Sequence, residues 1–318
     1  MRSFRNCLAV AILVAGSSLA FAQAPATVNE NPLRGAIDFH VHSGPDSFTR
    51  SINDFEVAKL AAERGMAALV FKNHFTLTAD RALLAERLVP GVRCYGGIVL
   101  NRAIGGLNAE AVERMTTFTG GRGKVVWLPT FDAENHVRHF REDRPSVAVV
   151  RDGKPVKELA AIFKLCAEHK LVLETGHSSA EECLILLEAA KQAGVTKLLV
   201  THAMADPIRM THDQMKAAAR LGAKLECVWA SNLQGPGSHL ESARHWKQVT
   251  TADYAKAIQA IGAEHFVLSS DLGQYLNPVH TDGMKEFILG LRAEGITQEQ
   301  IDLMCRTTPA ALLDLKQE

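Results

Sequence analysis

The sequence predicts an α/β protein with one large (β/α)8 TIM barrel, and two observations support this fold class. The first is a regular alternation of short apolar runs with helical patterns along the chain. Helical stretches such as 55–65 and 180–194 end in glycine, and an apolar run follows within a few residues, as expected of a helix that feeds a strand. The second is the repeat length, because eight units of roughly 30 residues suit a barrel.

Eight apolar runs have the length and composition of buried strands. They cover residues 36–39, 67–71, 94–100, 124–128, 171–173, 197–200, 223–229 and 266–268. A doubly wound open sheet is the alternative, but it would not need eight strands and usually carries a glycine-rich loop after the first one. Of two long connections, residues 131–157 predict a hairpin with strands 146–150 and 155–157, and residues 230–250 predict a loop or lid.

The composition is that of an ordinary globular protein. Hydrophobic residues make up 47% of the chain, charged residues 22%, and the formal net charge is zero. A chain without excess positive charge lacks the electrostatic footprint of a nucleic-acid-binding protein, so we expect no nucleic-acid partner. The six cysteines include no Cys-x-x-Cys pair, so a thiolate zinc site is not expected.

The amino terminus has the pattern of a cleavable secretory signal. Arg2 and Arg5 precede an apolar run over 8–14, and the small residues that follow end in Ala20-Phe21-Ala22. The apolar run is too short for a membrane anchor. We therefore expect a signal peptide over 1–22 cut after Ala22, a flexible leader over 23–34, and a barrel domain over 35–318. The product would be periplasmic or secreted, with no membrane span after cleavage.

Polar side chains follow five of the predicted strands, where barrel enzymes carry their chemistry. The set comprises His40 and His42, then Lys72 and His74, then Glu174 and His177, then His202, and finally Asp271. Side chains two residues apart on a strand share a face, so His40 and His42 make half of a metal site. Neutral imidazoles and one carboxylate bind a divalent ion while leaving a position for water. Metal binding is therefore the leading hypothesis.

The ordered set His-x-His, His, His and Ser-Asp resembles the amidohydrolase superfamily of metal-dependent hydrolases. The segments 71–74 (FKNH), 96–102 (GGIVLNR) and 175–178 (TGHS) resemble an uncharacterised branch of it. The resemblance implies a metal-activated water that attacks an amide, lactone or ester bond of a small substrate. It implies zinc first, with manganese, iron or cobalt open, and one or two ions. The implied ligands are His40, His42, His177, His202 and Asp271, with Asp271 also the general base.

The chain departs from that resemblance at the bridging ligand of two-metal members, a carboxylated lysine or a glutamate usually on the fourth strand. The fourth strand here ends in Pro129-Thr130, so Lys72 and Glu174 are the available substitutes. Lys72 would either be carboxylated or, as we favour, remain cationic and bind an anionic group or oxyanion. Glu174 would be a ligand or a salt-bridge partner, and one ion is favoured over two. His74 is expected to act as a ligand, proton relay or substrate contact.

Three further residues are expected to line the substrate pocket, namely Arg50, Asn101 and Arg102. Arginine matches carboxylate and phosphate in bidentate fashion, which favours an anionic substrate. The remaining loop histidines receive no role, although His239 on the lid-like loop is within reach of a substrate; they are His136, His139, His239, His245 and His280. A homodimer is a further expectation.

Two other functions stay open at this stage. A polymerase-and-histidinol-phosphatase-like phosphoesterase also opens with Asp-x-His-x-His, but its terminal Ser-Asp is typically followed by a ligating histidine, whereas Leu272-Gly273-Gln274 follow Asp271 here. A non-catalytic periplasmic metal- or solute-binding protein would use the same barrel and would bind its ligand without turnover.

Overall fold

The computed structural model describes residues 31–316, and its eight-stranded parallel sheet confirms the predicted (β/α)8 barrel. The barrel strands are β1 (Ile37–Val41), β2 (Ala68–Phe71), β3 (Arg93–Val99), β4 (Gly123–Trp127), β7 (Val172–Glu174), β8 (Leu198–Val200), β9 (Lys224–Val228) and β10 (Phe266–Ser269). They pair in the order β1-β2-β3-β4-β7-β8-β9-β10. Each one overlaps a predicted run, and their ends differ from the predicted ends by one or two residues.

The two strands missing from that order form the predicted hairpin between β4 and β7. They are β5 (Val150–Arg151) and β6 (Lys154–Pro155), which pair antiparallel. The hairpin is shorter than the predicted 146–150 and 155–157, because only two residues on each side continue the ladder beyond the turn.

Helices surround the barrel. They are α1 (Asp54–Glu63), α2 (Ala79–Leu88), α3 (Ala109–Thr116), α4 (Glu134–His139), α5 (Leu159–Glu168), α6 (Ala180–Gln192), α7 (His212–Arg220), α8 (Thr251–Ile261), α9 (His280–Ala293), α10 (Gln298–Asp302) and α11 (Thr308–Leu313). A π-helical turn, Leu303–Thr307, joins α10 to α11. Side-chain capping boxes fix several starts; at α6, for example, Ser179 caps the Glu182 N–H and Glu182 caps Ser179 in return.

Backbone hydrogen bonds at the carboxyl ends of the first and last strands close the barrel. The Asp271 N–H donates to the His40 carbonyl at 2.9 Å, and the His42 N–H donates to the Leu272 carbonyl at 3.0 Å. These bonds lie on the segments that carry the predicted metal ligands. The seam, by which we mean the backbone contact between residues 40–42 and 271–272, thus also positions the first predicted ligands.

A β-bulge in β1 sets the direction of its side chains. Asp38 pairs with Leu69 and Val41 pairs with Phe71, so three steps along β1 match two along β2. Phe39 therefore packs in the barrel interior with Val70 and Trp127, although His40 follows it directly. Because of the extra residue, β1 contributes Phe39 to the apolar interior and His40 and His42 to the mouth of the barrel.

The barrel encloses one apolar layer and is wrapped by another. The inner layer includes Phe39, Val70, Trp127 and Leu199, and Leu312 of α11 packs with it. The outer layer lies between the strands and the helices. The polar site is consequently confined to the end of the barrel that α11 does not cover.

The expected signal peptide over 1–22 lies outside the described residues. Of the expected flexible leader over 23–34, residues 31–34 form a turn packed on the barrel, where Leu33 is buried and Arg306 donates to the carbonyls of Pro32 and Arg34. Across residues 31–316, no helix has the length and apolar character needed to cross a membrane.

Candidate metal centre

One carboxylate and two imidazoles converge where β1 and β10 end. Asp271 Oδ1 lies 3.0 Å from His40 Nε2 and 3.1 Å from His42 Nε2, and the two Nε2 atoms are 3.2 Å apart. All three donor atoms lie within 4.8 Å of one another, which suits a metal ion. We call these three residues the first half of the centre.

Two more imidazoles meet where β7 and β8 end. His177 Nε2 and His202 Nε2 are 3.2 Å apart, and the His202 ring stacks against His40 with 6.3 Å between centroids. The four predicted histidines are thus brought together. We call His177 and His202 the second half of the centre.

The backbone takes uncommon conformations where these ligand-type residues sit. Asp271 and His202 have φ angles of 50° and 24°, in the left-handed region that non-glycine residues seldom occupy. Gly176 has φ 60°, and a Cβ there would lie 2.3 Å from the Leu128 carbonyl oxygen. Because β7 ends at Glu174 and the chain turns sharply at Gly176, Glu174 and His177 both reach the barrel mouth despite their odd spacing.

Ionisable side chains from neighbouring strands lie beneath the two halves. Lys72 Nζ is 3.0 Å from His40 Nε2 and 5.3 Å from the centroid of the Trp127 ring. Glu174 accepts a hydrogen bond from Thr201 at 3.0 Å, while its Oε1 has no hydrogen-bond partner among the described residues. Burial lowers the pKa of Lys72 and raises that of Glu174 to about 8.

Glu226, in the middle of β9, holds both halves of the centre. Its two carboxylate oxygens each lie 3.2 Å from His40 Nδ1, and Oε2 accepts the His202 backbone N–H at 3.0 Å. Burial raises the pKa of Glu226, but the imidazole of His40 outweighs this and the net pKa is lowered. The carboxylate therefore stays ionised beside the ring that it orients.

Each first-half imidazole presents a bare nitrogen lone pair to Asp271. The Glu226 carboxylate requires a proton on Nδ1 of His40, and the Lys72 carbonyl, 3.1 Å from His42 Nδ1, requires one there too. When both rings are neutral, the Nε2 lone pairs of His40 and His42 point at the Asp271 Oδ1 lone pairs, and these acceptors repel one another. A cation between them satisfies all three atoms, so the residues fit a divalent metal ion.

Without a cation, the pKa values shift in opposite directions in response to the same crowding. Burial raises the pKa of Asp271, but His40 and His42 hold it well below its usual range. Burial lowers the pKa of His40, but Asp271 and Glu226 raise it to about 9. His42 has its pKa depressed by burial and by Arg50. The first half thus needs one positive charge in its centre.

His136, to which the sequence analysis gave no role, supports the second half. Its Nδ1 lies 2.8 Å from His177 Nδ1, and its ring stacks on His177 with 4.9 Å between centroids. Burial lowers the pKa of His136 to about 3. A neutral His136 can accept the Nδ1 proton of His177, which leaves His177 Nε2 free to bind a metal.

The other predicted pocket residues divide into two groups. Arg50 lines the site, with its guanidinium 3.4 Å from His42 Nδ1, and His74 lies beside it. Asn101 stands behind His74: it donates to Thr130 Oγ1 at 2.8 Å, and that hydroxyl meets His74 Nδ1 at 2.9 Å. Arg102 is not brought to the site, because a 3-10 turn (Arg102–Ile104) directs it to an exposed groove with Ser146 and Glu158.

A cavity of about 650 Å³ opens over the centre. Its floor is formed by the two halves with Lys72 and His74, and the lid-like loop over 230–250 contributes Leu233, Leu240 and Trp246 to its wall. His239 is exposed on that loop and is not among the lining residues. The volume falls within the range of small-molecule sites.

Three contributors were missed from the sequence, and only two left a signal there. Glu226 is a buried charge in the middle of a strand, and His280, whose Nε2 lies 2.9 Å from the carbonyls of His42 and Leu272, is the first residue of α9. A buried charge in a strand needs a partner, which is the clue that Glu226 offered. His136 left no comparable signal, since its position depends on how a loop packs.

Several solved structures share this fold at low sequence identity. One is a candidate 2-pyrone-4,6-dicarboxylic acid hydrolase from Pseudomonas putida, with 18% identity, a TM-score of 0.57, and coverage of 89% of this chain and 99% of the other. Another is an organophosphorus hydrolase from Deinococcus radiodurans, with 16% identity, a TM-score of 0.56, and coverage of 89% and 93%. A dihydroorotase has 16% identity, a TM-score of 0.57, and coverage of 89% and 72%.

At these identities the likeness establishes a shared fold, and the expected (β/α)8 barrel is confirmed. No curated protein matches the chain by sequence. One family model matches residues 35–226, a span that holds all four histidines of the centre and ends at Glu226, before Asp271. The expectation of an uncharacterised branch agrees with its description, and the chain belongs to this family of unknown function (DUF6282).

Proposed function

We propose that this protein is a metal-dependent hydrolase of the amidohydrolase type, cleaving an amide, lactone or ester bond of a small substrate. The observation that carries the proposal is the set of imidazole lone pairs directed at Asp271 Oδ1 by Glu226 and the Lys72 carbonyl. A cation between these atoms would stabilise the arrangement, which lies at the floor of a cavity large enough for a small molecule.

His40, His42, His177, His202 and Asp271 are the proposed ligands. A divalent ion bound there, with zinc the first candidate and manganese, iron or cobalt open, would lower the pKa of a water towards about 7 and polarise the scissile bond. Asp271 would take the proton of the attacking water and pass it to the leaving group. Its depressed pKa keeps the carboxylate ionised, as a ligand and a base both require.

Lys72 and His74 are the proposed further catalytic groups. Lys72 reaches the first half from β2 and is buried, so its charge would act strongly on an oxyanion that develops there. His74 is held by Thr130 and stacks on His42 at 4.7 Å, and this position supports a role as a substrate contact or proton relay.

We propose one ion as the minimum and a second as an option that depends on the bridging residue. The first half supplies three donor atoms, whereas the second half supplies two. The third ligand would be the Glu174 Oε1, which lacks a hydrogen-bond partner among the described residues, or a carboxylated Lys72. Arg50 is the proposed substrate-binding residue with the best placement, and Asn101 would act through His74.

The test is metal content, measured by mass spectrometry on purified protein and on His202→Ala and Asp271→Asn, followed by a screen of esters, lactones and amides. We expect about one or two equivalents in the parent, no more than about one in His202→Ala, whose first half is intact, and hydrolysis reduced by about 10²- to 10⁴-fold in Asp271→Asn. His212→Ala, on an exposed helix start, is the matched control. A parent that holds no metal after reloading with zinc or manganese would overturn the proposal.

Two other functions have distinct outcomes in that experiment. A phosphoesterase would hydrolyse phosphate monoesters in preference to carboxylic esters and lactones. A non-catalytic binding protein would hold metal or solute tightly and turn over none of the substrates. The fold leaves the choice to the assay, because one barrel supports many reactions.

We also propose that the chain is exported and that the barrels pair as homodimers. Expression of the full chain in a Gram-negative host should give a periplasmic form whose first residue is Gln23. A product that stays in the cytoplasm with residues 1–22 attached would contradict export. Sedimentation would decide between monomer and dimer.

A further inference from the structure

We infer that the substrate carries an uncharged aromatic group beside the bond that is broken. The inference rests on the proposed hydrolase function and specifies its substrate class. It comes from the walls of the cavity and departs from the sequence-based expectation of an anionic substrate.

Aromatic rings extend from the metal centre up one side of the cavity. Phe131 lies between His74 and the second half of the centre, with ring centroids 4.4 Å from His74 and 5.6 Å from His177. Phe48 packs edge-on to Phe131 at 5.7 Å, and Phe75 lies 5.5 Å from Phe48. We call Phe48, Phe75 and Phe131 the first aromatic wall.

A second aromatic wall is built on the residue that supports His177. Phe140 lies 4.7 Å from His136, and Trp246 of the lid-like loop stacks on Phe140 at 4.6 Å with 29° between the ring planes. Both walls line the same cavity. Rings in fixed positions on two walls favour a flat ring inserted near them, through offset or edge-to-face contacts.

The arginines of the cavity are already neutralised by the protein. Arg50 donates through Nε and Nη2 to Asp46 Oδ2, both at 2.7 Å, and these side chains are 5% and 0% exposed. Arg144 contacts Asp132 and Glu142, each at 2.6 Å. Among the described lysine and arginine side chains that line the cavity, Lys72 is the remaining one, and it lies at the floor beside His40.

A second anionic group on the substrate would therefore meet no unpaired guanidinium. It would have to compete with Asp46 for Arg50, or with Asp132 and Glu142 for Arg144, and it would be desolvated against aromatic rings. An aromatic ring meets no such cost. The charge that the site accepts is confined to the reacting bond, next to Lys72 and the metal centre.

Three carboxylates test this directly, because each presents the same group to the metal and differs only at its far end. They are 3-phenylpropanoate, 3-(4-carboxyphenyl)propanoate and hexanoate, titrated into zinc-loaded protein by calorimetry and by Trp246 fluorescence. We expect 3-phenylpropanoate to bind at least about tenfold tighter than either of the others. Hexanoate bound as tightly as 3-phenylpropanoate, or tighter binding of the dianion, would overturn the inference.

Two variants with a matched control sharpen the result. Phe131→Leu should weaken 3-phenylpropanoate by about 2- to 10-fold and leave hexanoate nearly unchanged, since only the ring contact is lost. Phe118→Leu, an exposed ring away from the cavity, should change neither affinity. Asp46→Asn removes the charge that neutralises Arg50, so the dianion should gain at least about tenfold while 3-phenylpropanoate stays within about twofold.

The outcomes separate this inference from the proposed function. Protein that retains metal and hydrolyses a lactone or ester but prefers the dianion would refute the substrate class and leave the hydrolase intact. Metal-loaded protein that binds none of the three carboxylates also refutes the substrate class. Protein that binds no metal refutes the hydrolase, and the substrate inference fails with it.

Discussion

The two halves of the centre use the same imidazole chemistry but are built differently. The first half joins residues of the first and last strands, is complete with three donor atoms, and has a carboxylate, Glu226, behind it. The second half joins two adjacent strands, offers two donor atoms, and has a neutral imidazole, His136, behind it. A carboxylate behind a ligating histidine raises its basicity more than an imidazole does.

This difference in construction predicts which half would hold a metal ion by itself. In the first half, Glu226 and the Lys72 carbonyl hold the two imidazole rings, and the three donor atoms already lie close together without an ion. The second half needs another ligand, and both candidates, Glu174 and Lys72, are buried groups whose pKa values are shifted towards their neutral forms. We therefore expect the first half to be the tighter site.

The metal content of two alanine variants tests most directly whether the first half binds its ion more tightly than the second. His42→Ala should lose all tightly bound metal, because two donor atoms remain in the first half. His177→Ala should keep about one equivalent, held by His40, His42 and Asp271. Mass spectrometry after dialysis against a weak chelator measures both. Complete loss in His177→Ala would show that the halves bind only as one unit.

Asp271→Asn separates metal binding from proton transfer within the first half. An amide oxygen can still ligate weakly, but it cannot take the water's proton, so kcat on the best substrate from the screen should fall by about 10²- to 10⁴-fold. Steady-state kinetics at matched metal occupancy measures the loss. Asp282→Asn, on the exposed start of α9, is the control. A fall of less than about tenfold at full occupancy would assign the base to another residue.

Substitution of the residues that support the ligands, Glu226 and His136, should have a smaller effect on metal affinity, and each should affect mainly one half. Glu226→Gln should weaken the tighter ion by about 10- to 100-fold, because His40 loses its carboxylate partner. His136→Ala should weaken the second ion by a similar factor and spare the first, and His136→Gln should recover part of the loss. Competition titration with a fluorescent zinc chelator resolves the two affinities. If His136→Ala weakened the first ion instead, the assignment of supports would be wrong.

The smallest expected effect concerns His280, which ties the two carbonyls of the barrel seam to the start of α9. Burial lowers its pKa from 6.5 to about 4, although its bonds to the carbonyls of His42 and Leu272 oppose this. The unfolded chain takes up a proton below about pH 6.5 and the folded chain does not until about pH 4. Acidification therefore destabilises the fold through His280, by about 2 kcal/mol between pH 7 and pH 5.

Urea unfolding of metal-free protein measures that contribution against His280→Gln, which cannot titrate. The stability of the parent relative to the variant should fall by that amount as the pH drops from 7 to 5. Parallel curves for the two proteins would show that His280 takes up its proton alike in the folded and unfolded chains, which would contradict its lowered pKa.

The barrel could be predicted because its strands are buried on both faces, so that each strand is a nearly continuous apolar run in the sequence. Four histidines and Asp271 could be predicted because a parallel barrel gathers its strand ends at one mouth, whatever the loops do. Arg102 was misplaced for the opposite reason: the course of a loop after the strand decides where its side chain points, and a 3-10 turn sends this one away.

The supports were harder to predict than the ligands. The charge of Glu226 stands out in its strand, but its role could not be predicted, because its partner His40 lies on a strand 186 residues earlier. His136 sits on a short helix whose approach to His177 is set by packing of the connection between β4 and β5. The bulge in β1 likewise follows from pairing with β2 and leaves no mark on the order of residues.

The seam between β1 and β10 also has a consequence for how the protein is made. The chain emerges from the ribosome amino end first, so His40 and His42 exist long before Asp271, which lies 229 residues after His42. Until β10 arrives, β1 is an open sheet edge and its histidines lack their carboxylate. The metal centre is therefore one of the last features to be finished, and a ribosome that stalls before residue 271 leaves four histidines without the acid that completes them.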